Sequence, residues 1–409
     1  MRILQLHNRY ASSASGGEDS VVQQEHDLLA SHGEEVTQLF ATNVGLPRPP
    51  RAAAVMTAFR SIWSQAAYRE VRAAIVRIRP DVIHVHNTFA ALSPSVFWAA
   101  RAERVASVMT LHNYRLVCAS TVLMRDGTPC EKCVGRLPLP ALRHRCRYVD
   151  SSAVGMSIAA GQVAHGVVGT YRNQVDAFIA LTGFARDVFE RSGLPREKLH
   201  VKPNFVPHPD DDGGEPDLRF GQRQLAFVGL VDHVKGVDLL TDASSECRVR
   251  HKLVLVGDGR ARAELERRTA QHPHIQWAGR LPRAGARALI AASSWLVVPS
   301  RWYEGGLPLV VLEALRAGRP VIVPELGVFP GLVAANENAL FFTPNDATSL
   351  RHALQRALTM GDAEWRAFSS SATRLCRERY MPEANYRQLM GVYRAAVRAA
   401  AGRCDPGRA

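Results

Sequence analysis

Short apolar runs alternate with amphipathic helical patterns along the whole chain. A helical period over residues 20–32 ends at Gly33, where a glycine is typical of a helix stop. The apolar runs predict strands over residues 3–6, 36–40, 81–86, 106–111, 178–181, 200–202, 225–228, 252–256, 295–298 and 320–323. Strands that alternate with helices predict parallel sheets in α/β layers.

One segment interrupts this alternation. Residues 207–216 are rich in Pro, Asp and Gly and have no apolar period, which predicts an interdomain linker. We therefore expect a domain over 1–206, a linker over 207–219, a second domain over 220–380 and a helical, Arg-rich segment over 381–409. Parallel α/β domains bind ligands beyond the carboxyl ends of their strands, so the pattern predicts a cleft between two sheets.

The composition is that of a globular protein with a strong positive charge. The 409 residues are 46% hydrophobic and carry a formal charge of +13. This excess predicts an anionic partner: membrane head groups, a phosphorylated substrate or nucleic acid. A high-GC genome explains the arginines equally well. We expect neither a secretory signal nor a transmembrane helix, and seven cysteines without an export signal argue against a disulfide framework.

The most informative stretch is residues 300–314, which carries two carboxylates around a glycine loop. Glu304 precedes Gly305-Gly306, and Glu313 lies inside the helix that follows. Backbone N–H groups near Leu309 and Val310 would face phosphate at the start of that helix. Carboxylates beside such a site suit sugar or ribose hydroxyls, so the stretch predicts a nucleotide-sugar site. The alternative is that Glu313 is a solvated helix residue.

Other candidate site residues follow predicted strands. Gly16 and Gly17 would let the backbone approach a phosphate or sugar, or form a flexible turn. His112 ends a strand, where it would bond to a sugar hydroxyl or be structural. Lys235, after a glycine at 229, would reach a diphosphate or be a surface lysine. The Gly257-Asp258-Gly259 sequence is too short for a dinucleotide fingerprint and predicts a tight turn lining a base pocket.

Two further stretches have no assigned place in this site. An Arg-rich insert at about 114–148 contains Cys118, Cys130, Cys133 and Cys146, and the Cys-x-x-Cys pair has metal-ligand spacing. A structural zinc, a disulfide and buried thiols are all open readings. Residues 151–171 include no Asp, Glu, Lys or Arg. They suit a membrane interface, although their modest hydrophobicity favours a small-residue helix packed inside the first domain.

Taken in order, these motifs resemble the retaining glycosyltransferases of family 4. The likeness covers nearly the whole chain and lies in residues 2–4 with 16–18, 81–87, 110–114, 202–206, 229–236, 256–259 and 299–313. The cysteine insert resembles that of bacterial members that build exopolysaccharide or lipopolysaccharide. The resemblance implies a GT-B fold: two Rossmann-like domains facing each other across a cleft, with a last helix that crosses back to the first domain.

The resemblance also implies residue roles. The expected catalytic residues are His112 at the donor sugar, Glu304 at the sugar hydroxyls or anomeric centre, and Lys235 at the diphosphate. The expected donor-binding residues are Gly16, Gly17, Gly229, Lys235, Gly257, Gly259, Leu309, Val310 and Glu313. Two departures stand out. Leu230 replaces an arginine usual in the family, with Arg301 or His233 as substitutes, and eight residues instead of seven separate Glu304 from Glu313.

The sequence therefore predicts a retaining transfer of a sugar from a nucleoside diphosphate sugar to a hydroxyl of a glycan acceptor, itself lipid-linked. We expect no cofactor for catalysis, no nucleic-acid partner, and a cytoplasmic enzyme held peripherally at an anionic membrane surface. One alternative is a nucleotide-sugar epimerase or hydrolase on the same fold. The other is a catalytically degenerate, membrane-docking partner subunit.

Overall fold

A computed structural model describes residues 1–9, 17–42, 59–89, 91–147, 151–207, 224–306 and 308–403. The predicted linker, apart from Pro207, lies outside these ranges. The chain divides into two compact units. The first unit comprises Met1–Leu123, Cys130–Pro203 and Asn385–Ala409, and the second comprises Met124–Pro129 and Asn204–Ala384. The hairpin at the tip of the insert therefore belongs with the second unit, although the rest of the insert belongs with the first.

A parallel sheet forms the centre of the first unit. Its described strands are β1 (Arg2–Arg9), β2 (Glu35–Thr42), β3 (Val82–Asn87), β4 (Ala106–Leu111), β7 (Ala177–Ala180) and β8 (Leu199–Val201). They are ordered β2-β1-β3-β4-β7-β8, with every neighbouring pair parallel. β3 and β4 are buried at every position, as expected of central strands covered on both faces. The predicted α/β layers are confirmed in this unit.

Helices connect these strands. They are α1 (Gly17–Ser31), α2 (Gln65–Ile78), α3 (Ser95–Ala102), α4 (Leu139–Arg143), α5 (Ser152–Val168), α6 (Thr170–Gln174) and α7 (Gly183–Arg191). Helix α1 begins at Gly17, so Gly17 and Glu18 lie in its first turn and not in a loop before residue 20. Glu18 and Asp19 suit that position because the positive end of the helix dipole stabilises acidic side chains.

The second unit repeats the architecture. The strands of its sheet are β9 (Gln224–Val228), β10 (Lys252–Val256), β11 (Ile275–Gly279), β12 (Trp295–Val297), β13 (Val321–Pro324) and β14 (Ala339–Phe342), and the short hairpin β5 (Met124–Arg125) and β6 (Thr128–Pro129) lies in the same unit. The sheet is ordered β11-β10-β9-β12-β13-β14 and is parallel throughout the described residues. Strands β11 and β14 are the two sheet edges, and neither is predicted by the apolar pattern.

The helices of the second unit cover its sheet and lead to the end of the chain. They are α8 (Val237–Ser245), α9 (Arg262–Arg268), α10 (Arg283–Ala292), α11 (Leu309–Arg316), α12 (Ala347–Thr359) and α13 (Asp362–Arg379). The core contains two fully buried tryptophans, Trp295 and Trp365. The indole N–H of Trp365 donates to the Ser294 carbonyl at 3.0 Å, which satisfies its polar atom inside the core.

The last helix, α14 (Pro382–Gly402), packs on the core of the first unit. Its residues Leu389, Tyr393 and Ala396 are fully buried in one cluster with Ile3 of β1 and Val108 of β4. The first unit is thus built from both ends of the chain. None of the helices within the described ranges is long and apolar enough to cross a membrane.

The uncharged stretch at 151–171 is only half packed. Helix α5 buries Gly155, Ile158, Ala159 and His165, but its opposite side is exposed, with Met156 48% and Val167 80% accessible. The expectation of a helix packed inside the first domain is therefore wrong for one side of α5. Small residues on the inner side explain the packing, since they let the helix approach its neighbours closely.

Candidate active site

In the second unit, a lysine that follows strand β9 lies beside a glutamate that follows strand β12. Glu304 is buried, with 6% exposure. Its Oε1 accepts hydrogen bonds from the Ser300 hydroxyl at 2.6 Å and from the Lys235 ammonium at 2.7 Å. The same ammonium lies 5.0 Å from the centre of the Trp302 ring, within reach of a cation–π interaction. Lys235 keeps about a quarter of its side chain exposed, so the pair is accessible to a ligand from the lysine side.

A glycine positions this lysine. Lys235 ends a single 3₁₀ turn, His233–Lys235, in which the Asp232 carboxylate accepts a hydrogen bond from the Val234 N–H. Gly236 follows with φ 68°, and a Cβ there would lie 1.9 Å from the carbonyl oxygen of Pro299. Only glycine allows the chain to turn this close to the loop that carries Glu304. The Lys235–Glu304 ion pair therefore depends on a glycine at position 236.

Glu313 lies in helix α11 and faces two arginines of helix α10. Its Oε1 accepts from Arg283 Nε at 3.2 Å and from Arg287 Nε at 3.1 Å, and the residue is 7% exposed. A solvated glutamate is therefore excluded. The two guanidinium groups compensate the charge of the buried carboxylate. Its expected role at the ribose stays a prediction, and the arginines fix where the carboxylate points.

Helix α11 begins just after the glutamate loop. Pro308 is its N-cap residue, and the Pro308 carbonyl accepts from the N–H groups of Val311 and Leu312. The N–H groups of Leu309 and Val310 lie in the first turn, which has no acceptors within the helix. They are thus placed as an anion site requires, and their contact with phosphate stays a prediction. Leu307 lies outside the described residues.

Three glycines of the predicted donor site, Gly229, Gly257 and Gly259, hold two loops together. A Cβ on Gly257, whose φ is 140°, would lie 1.8 Å from the Gly229 carbonyl oxygen, and one on Gly259 would lie 2.2 Å from that of Val231. The Gly229 N–H donates to the Val256 carbonyl, and the Val231 N–H donates to that of Asp258. Close backbone packing therefore explains these glycines without a ligand, and the base pocket stays a prediction.

Leu230 lies between those loops and is 53% exposed, in agreement with a position that faces ligand or solvent. Arg301, a proposed substitute for the missing arginine, is engaged elsewhere. Its guanidinium donates to both carboxylate oxygens of Asp238 at 2.8 Å and to the His233 carbonyl at 3.1 Å. A single nitrogen, Nη1, makes all three contacts, and Arg301 could replace the missing arginine only if its ion pair with Asp238 opened.

The first unit contains the other predicted catalytic residue, His112, directly after β4. Its Nε2 lies 3.0 Å from Nδ1 of His86, and the two rings stack with centres 5.3 Å apart. Burial lowers the pKa of His112, and the carboxylates of Glu18 and Glu25 oppose that shift only in part. A neutral imidazole here exchanges hydrogen bonds with a hydroxyl group and adds no charge to the site.

Behind His112 lies a buried polar network that sequence reasoning missed. Glu25 of α1 accepts a hydrogen bond from the Lys202 ammonium at 2.6 Å, and both side chains are fully buried. Burial raises the pKa of Glu25, but Lys202 and His86 lower it by more than burial raises it, so the net pKa is below the usual value. The Asn385 side chain of α14 accepts from the same ammonium at 3.0 Å. The carboxylate is therefore ionised and paired.

Two histidines of strand β3 complete the network. His84 bonds through both ring nitrogens, Nδ1 to the Tyr393 hydroxyl at 2.8 Å and Nε2 to the Thr110 hydroxyl at 2.7 Å. Burial lowers the pKa of His84 and of His86 well below 6.5, and the Glu25 carboxylate opposes this shift at His86 only in part. Both rings are thus neutral in the folded protein. Their signal in the sequence is a pair of histidines two residues apart, on one face of an otherwise apolar strand.

The same residues raise the question of a metal ion. Among the described residues, Glu25, His84 and His86 are the group whose ligand atoms all lie within 4.8 Å. The surroundings do not suit a cation, because the Lys202 ammonium already pairs with the carboxylate and both nitrogens of His84 have hydroxyl partners. We therefore interpret the group as a hydrogen-bonded core and derive no metal chemistry from it.

The structure does not require glycine at the predicted pair Gly16 and Gly17 within the part that it describes. Gly16 lies outside the described residues, and a Cβ on Gly17 would contact nothing within 4 Å, so space does not require glycine there.

The six described cysteines are all free, which excludes a disulfide among them. Cys133 and Cys146 pack against one small cluster of alanines. Burial, with smaller contributions from the thiols of Cys118, Cys130 and Cys146, raises the pKa of Cys133 to about 11.

Two parallel α/β units, with an ion pair and a helix start beside the strands of the second, define a glycosyltransferase of the GT-B fold. The chain belongs to the family 4, group 1 glycosyltransferases. The model of "Glycosyltransferase Family 4" matches residues 16–208, and that of "Glycosyl transferases group 1" matches residues 222–360. Together they cover both halves of the chain.

Relatives and solved structures agree with this placement. A putative teichuronic acid biosynthesis glycosyltransferase, TuaC of Bacillus subtilis, is 33% identical over 34% of each chain, so the match spans about a third of that relative. Phosphatidyl-myo-inositol mannosyltransferase of Mycobacterium leprae is 24% identical over 94% of each chain. Among structures, sucrose-phosphate synthase of Thermosynechococcus elongatus superposes with a TM-score of 0.69 at 18% identity, over 98% of this chain and all of its own. The structure of Anabaena HepE in complex with UDP superposes with a TM-score of 0.64 at 16% identity, over 97% of this chain and 100% of its own.

Proposed function

We propose that this protein transfers a sugar, with retention of configuration, from a nucleoside diphosphate sugar to a hydroxyl group of a glycan acceptor. The observation that carries the proposal is the Lys235–Glu304 pair, held by Gly236 beside the start of helix α11. It combines one cation and two N–H groups for a diphosphate with a carboxylate for sugar hydroxyls. Family membership and the polysaccharide role named for TuaC support the same reading.

The proposed chemistry needs no protein nucleophile. The bond between the anomeric carbon and the diphosphate oxygen breaks, and the acceptor oxygen bonds to the same face of that carbon. The acceptor proton passes to the departing diphosphate, which acts as the base. Lys235 and the first turn of α11 stabilise the charge that develops on the diphosphate. His112, with its lowered pKa, would position the donor sugar as a neutral hydrogen-bonding group.

We further propose a lipid-linked acceptor. The mannosyltransferase that aligns over 94% of both chains is named for a phosphatidylinositol substrate, which supports an acceptor of this class. The formal charge of +13 supports association with an anionic membrane surface. We therefore propose a peripheral enzyme in the synthesis of a cell-surface polysaccharide or glycolipid.

Ligand-induced stabilisation provides the first test. UDP, GDP, ADP and their sugar conjugates are added at millimolar concentration, and the shift in Tm is measured, with UDP first because HepE was crystallised with it. Glu313→Ala should lose the shift, whereas Glu266→Ala, an exposed glutamate, should keep it. If no nucleotide stabilises the wild-type protein, the donor site is wrong and a non-catalytic docking subunit becomes the better reading.

An acceptor test separates the transferase from the second enzyme candidate. The sugar donor found above is incubated with and without a lipid-linked glycan, and products are followed by mass spectrometry. The proposal requires that donor turnover depends on the acceptor. Equal turnover without any acceptor would identify a nucleotide-sugar epimerase or hydrolase instead.

We also propose a structural zinc ion held by Cys118, Cys130, Cys133 and Cys146. Gly135 follows the Cys-x-x-Cys pair with φ 69°, and a Cβ there would meet the Arg191 carbonyl, so this turn requires glycine. Among the described residues the four sulfur atoms do not form a group within 4.8 Å of one another, so binding would require the insert to close around the ion. About one zinc per chain is expected by atomic emission, lost in Cys133→Ser and kept in Cys376→Ser. A metal-free wild-type protein would refute the site.

A further inference from the structure

Helix α5 is apolar on the side that faces solvent. Its exposed positions Ala153, Met156, Ala160, Val163 and Val167 recur at intervals of three and four residues and form one stripe along the helix. The helix contains no charged residue. A surface helix normally has its polar residues on the solvent side, so this arrangement is the reverse of the usual one. An exposed apolar stripe of this length indicates a binding surface.

The insert extends this surface. Leu137, Leu139 and Leu142, at and around helix α4, are 59%, 62% and 44% exposed. Helix α4 packs against α5. A groove of about 650 Å³ runs between the insert and α5, and both Leu137 and Val167 line it. We call the exposed part of Leu137, Leu139, Leu142, Met156, Val163, Val167 and Val168 the apolar face.

Positive charge surrounds the apolar face. From Lys132 to Val175 the sequence has six Lys and Arg residues against a single acid, Asp150. The arginines of this stretch are exposed and lie in the insert and in α6: Arg136, Arg143, Arg145, Arg147 and Arg172. Apolar side chains framed by cations match the chemistry of an anionic bilayer, whose head groups are negative and whose interior is apolar. A protein partner would be expected to meet aromatic anchors, but the apolar face consists of Val, Leu and Met.

From these observations we infer that the apolar face of α4 and α5 inserts into an anionic phospholipid membrane. The inference rests on the proposed function, because it supplies the surface at which a lipid-linked acceptor would be presented. The face is tied to the candidate site through the loop after His112. The Gln162 side chain of α5 donates to the Arg115 carbonyl at 2.7 Å, and Leu116 and Val117 line the groove. A lipid held in the groove would therefore have its head group close to the loop that follows His112.

Vesicle binding of the full-length protein tests the inference. Co-sedimentation is measured with vesicles of phosphatidylcholine containing about 30% phosphatidylglycerol, and with phosphatidylcholine alone. The wild-type protein should bind the anionic vesicles at least about tenfold more tightly, and added salt should weaken this binding. Val163→Glu with Val167→Glu should reduce binding by about tenfold or more, because two charges would enter the apolar region. Arg143→Glu with Arg145→Glu should reduce it similarly and remove the salt dependence in part.

Matched controls come from exposed residues outside the face. Val76→Glu replaces a valine of α2 that is 59% exposed, and Arg356→Glu reverses an arginine of α12 that is 54% exposed. Both should bind vesicles like the wild-type protein. If the wild-type protein ignores anionic vesicles, or if the double glutamate variant binds as the wild-type does, the inference is wrong. Concentration-dependent dimerisation in light scattering without vesicle binding would identify a second copy as the occupant instead.

A fluorescence measurement reports insertion directly. Val167→Trp should be quenched by phospholipids brominated along their acyl chains, and Val76→Trp should not. The shift in Tm with UDP, GDP and ADP is measured on the same variants to separate this inference from the proposed function. Absent vesicle binding with an intact nucleotide-induced shift refutes only the membrane face. Vesicle binding without a nucleotide shift refutes only the proposed function.

Discussion

Each unit buries a glutamate against a lysine, and the two pairs differ in what surrounds them. Glu25 and Lys202 lie 2.6 Å apart with both side chains fully buried, whereas Glu304 and Lys235 lie 2.7 Å apart with about a quarter of the lysine exposed. The first pair is enclosed by histidines, by Asn385 and by Tyr393. The second adjoins a glycine turn and the start of a helix.

The comparison separates a structural ion pair from one available for binding. The Lys202 ammonium donates to Glu25 Oε1 and to Asn385, whereas Glu25 Oε2 has no hydrogen-bond partner and lies 3.5 Å from His86 Nε2. Both charges are enclosed by protein groups, so this pair orders the core behind His112. Lys235 retains an exposed part that a diphosphate could approach. Similar distances therefore do not imply similar roles, and solvent access to the cation distinguishes them.

The largest expected effect concerns stability. Glu25→Ala would leave a fully buried ammonium without its carboxylate and should cost about 3–5 kcal/mol of unfolding free energy. Glu304→Ala should cost only about 1 kcal/mol, because solvent reaches Lys235. Urea denaturation of both variants measures the difference, with Glu266→Ala as an exposed control. Equal losses for the two substitutions would contradict the distinction drawn here.

The next effect concerns catalysis. Lys235→Ala should lower donor turnover by about 10²- to 10³-fold, since it removes a charge that stabilises the leaving diphosphate. Its unfolding free energy should change by less than about 1 kcal/mol. Acceptor-dependent product formation measures turnover, and Lys252→Ala, an exposed lysine of β10, is the control. Full activity in Lys235→Ala would remove the second pair from the active site.

A smaller effect should appear as a pH dependence of the first unit. The pKa of His86 in the folded protein is well below 6.5, so below that pH only the unfolded chain takes up its proton. The contribution of His86 to the free energy of unfolding is therefore fully present above pH 6.5. It is lost as the pH falls below 6.5, by about 1.4 kcal/mol per pH unit for each such histidine. The lowered pKa of Glu25 acts in a separate window, below 4.5.

His86→Gln should accordingly flatten the fall in unfolding free energy between pH 6.5 and 5. Denaturation curves across this range test the slope, and His352→Gln, at an exposed position, should leave it unchanged. An unchanged slope in His86→Gln would mean that this histidine takes up its proton in the folded state too.

The smallest effect tests the unusual residue of the donor loop. Leu230→Arg would restore a cation to an exposed position of the second unit and should tighten nucleotide binding about fivefold, or by about 1 kcal/mol. Titration calorimetry with the stabilising nucleotide measures Kd. Leu230→Gln, similar in length and uncharged, should bind as the wild-type protein does. Unaltered binding in Leu230→Arg would place residue 230 away from the phosphates.

The second unit was largely predictable because its signals are local. The two glutamates, Lys235 and the glycines lie in short motifs, and the central apolar strands carry an unbroken hydrophobic run. Edge strand β11 was not predicted because Ile275–Gly279 alternates buried and exposed positions without such a run. The network of the first unit was missed because it joins distant residues. Glu25 meets Lys202 across 177 positions and His84 meets Tyr393 across 309, which no local pattern reveals.

The way in which α14 completes the first unit has a consequence for synthesis on the ribosome. Asn385 and Tyr393 contribute to the core of this unit, but they follow Pro203 by about 180 residues. At about 5–20 residues per second, translation needs roughly 10–40 s to supply them. The first unit therefore emerges first from the ribosome but is completed last. Lys202 lacks its hydrogen bond to Asn385 until that residue has been synthesised. A nascent chain stalled before residue 385 should expose this region to a chaperone or a protease.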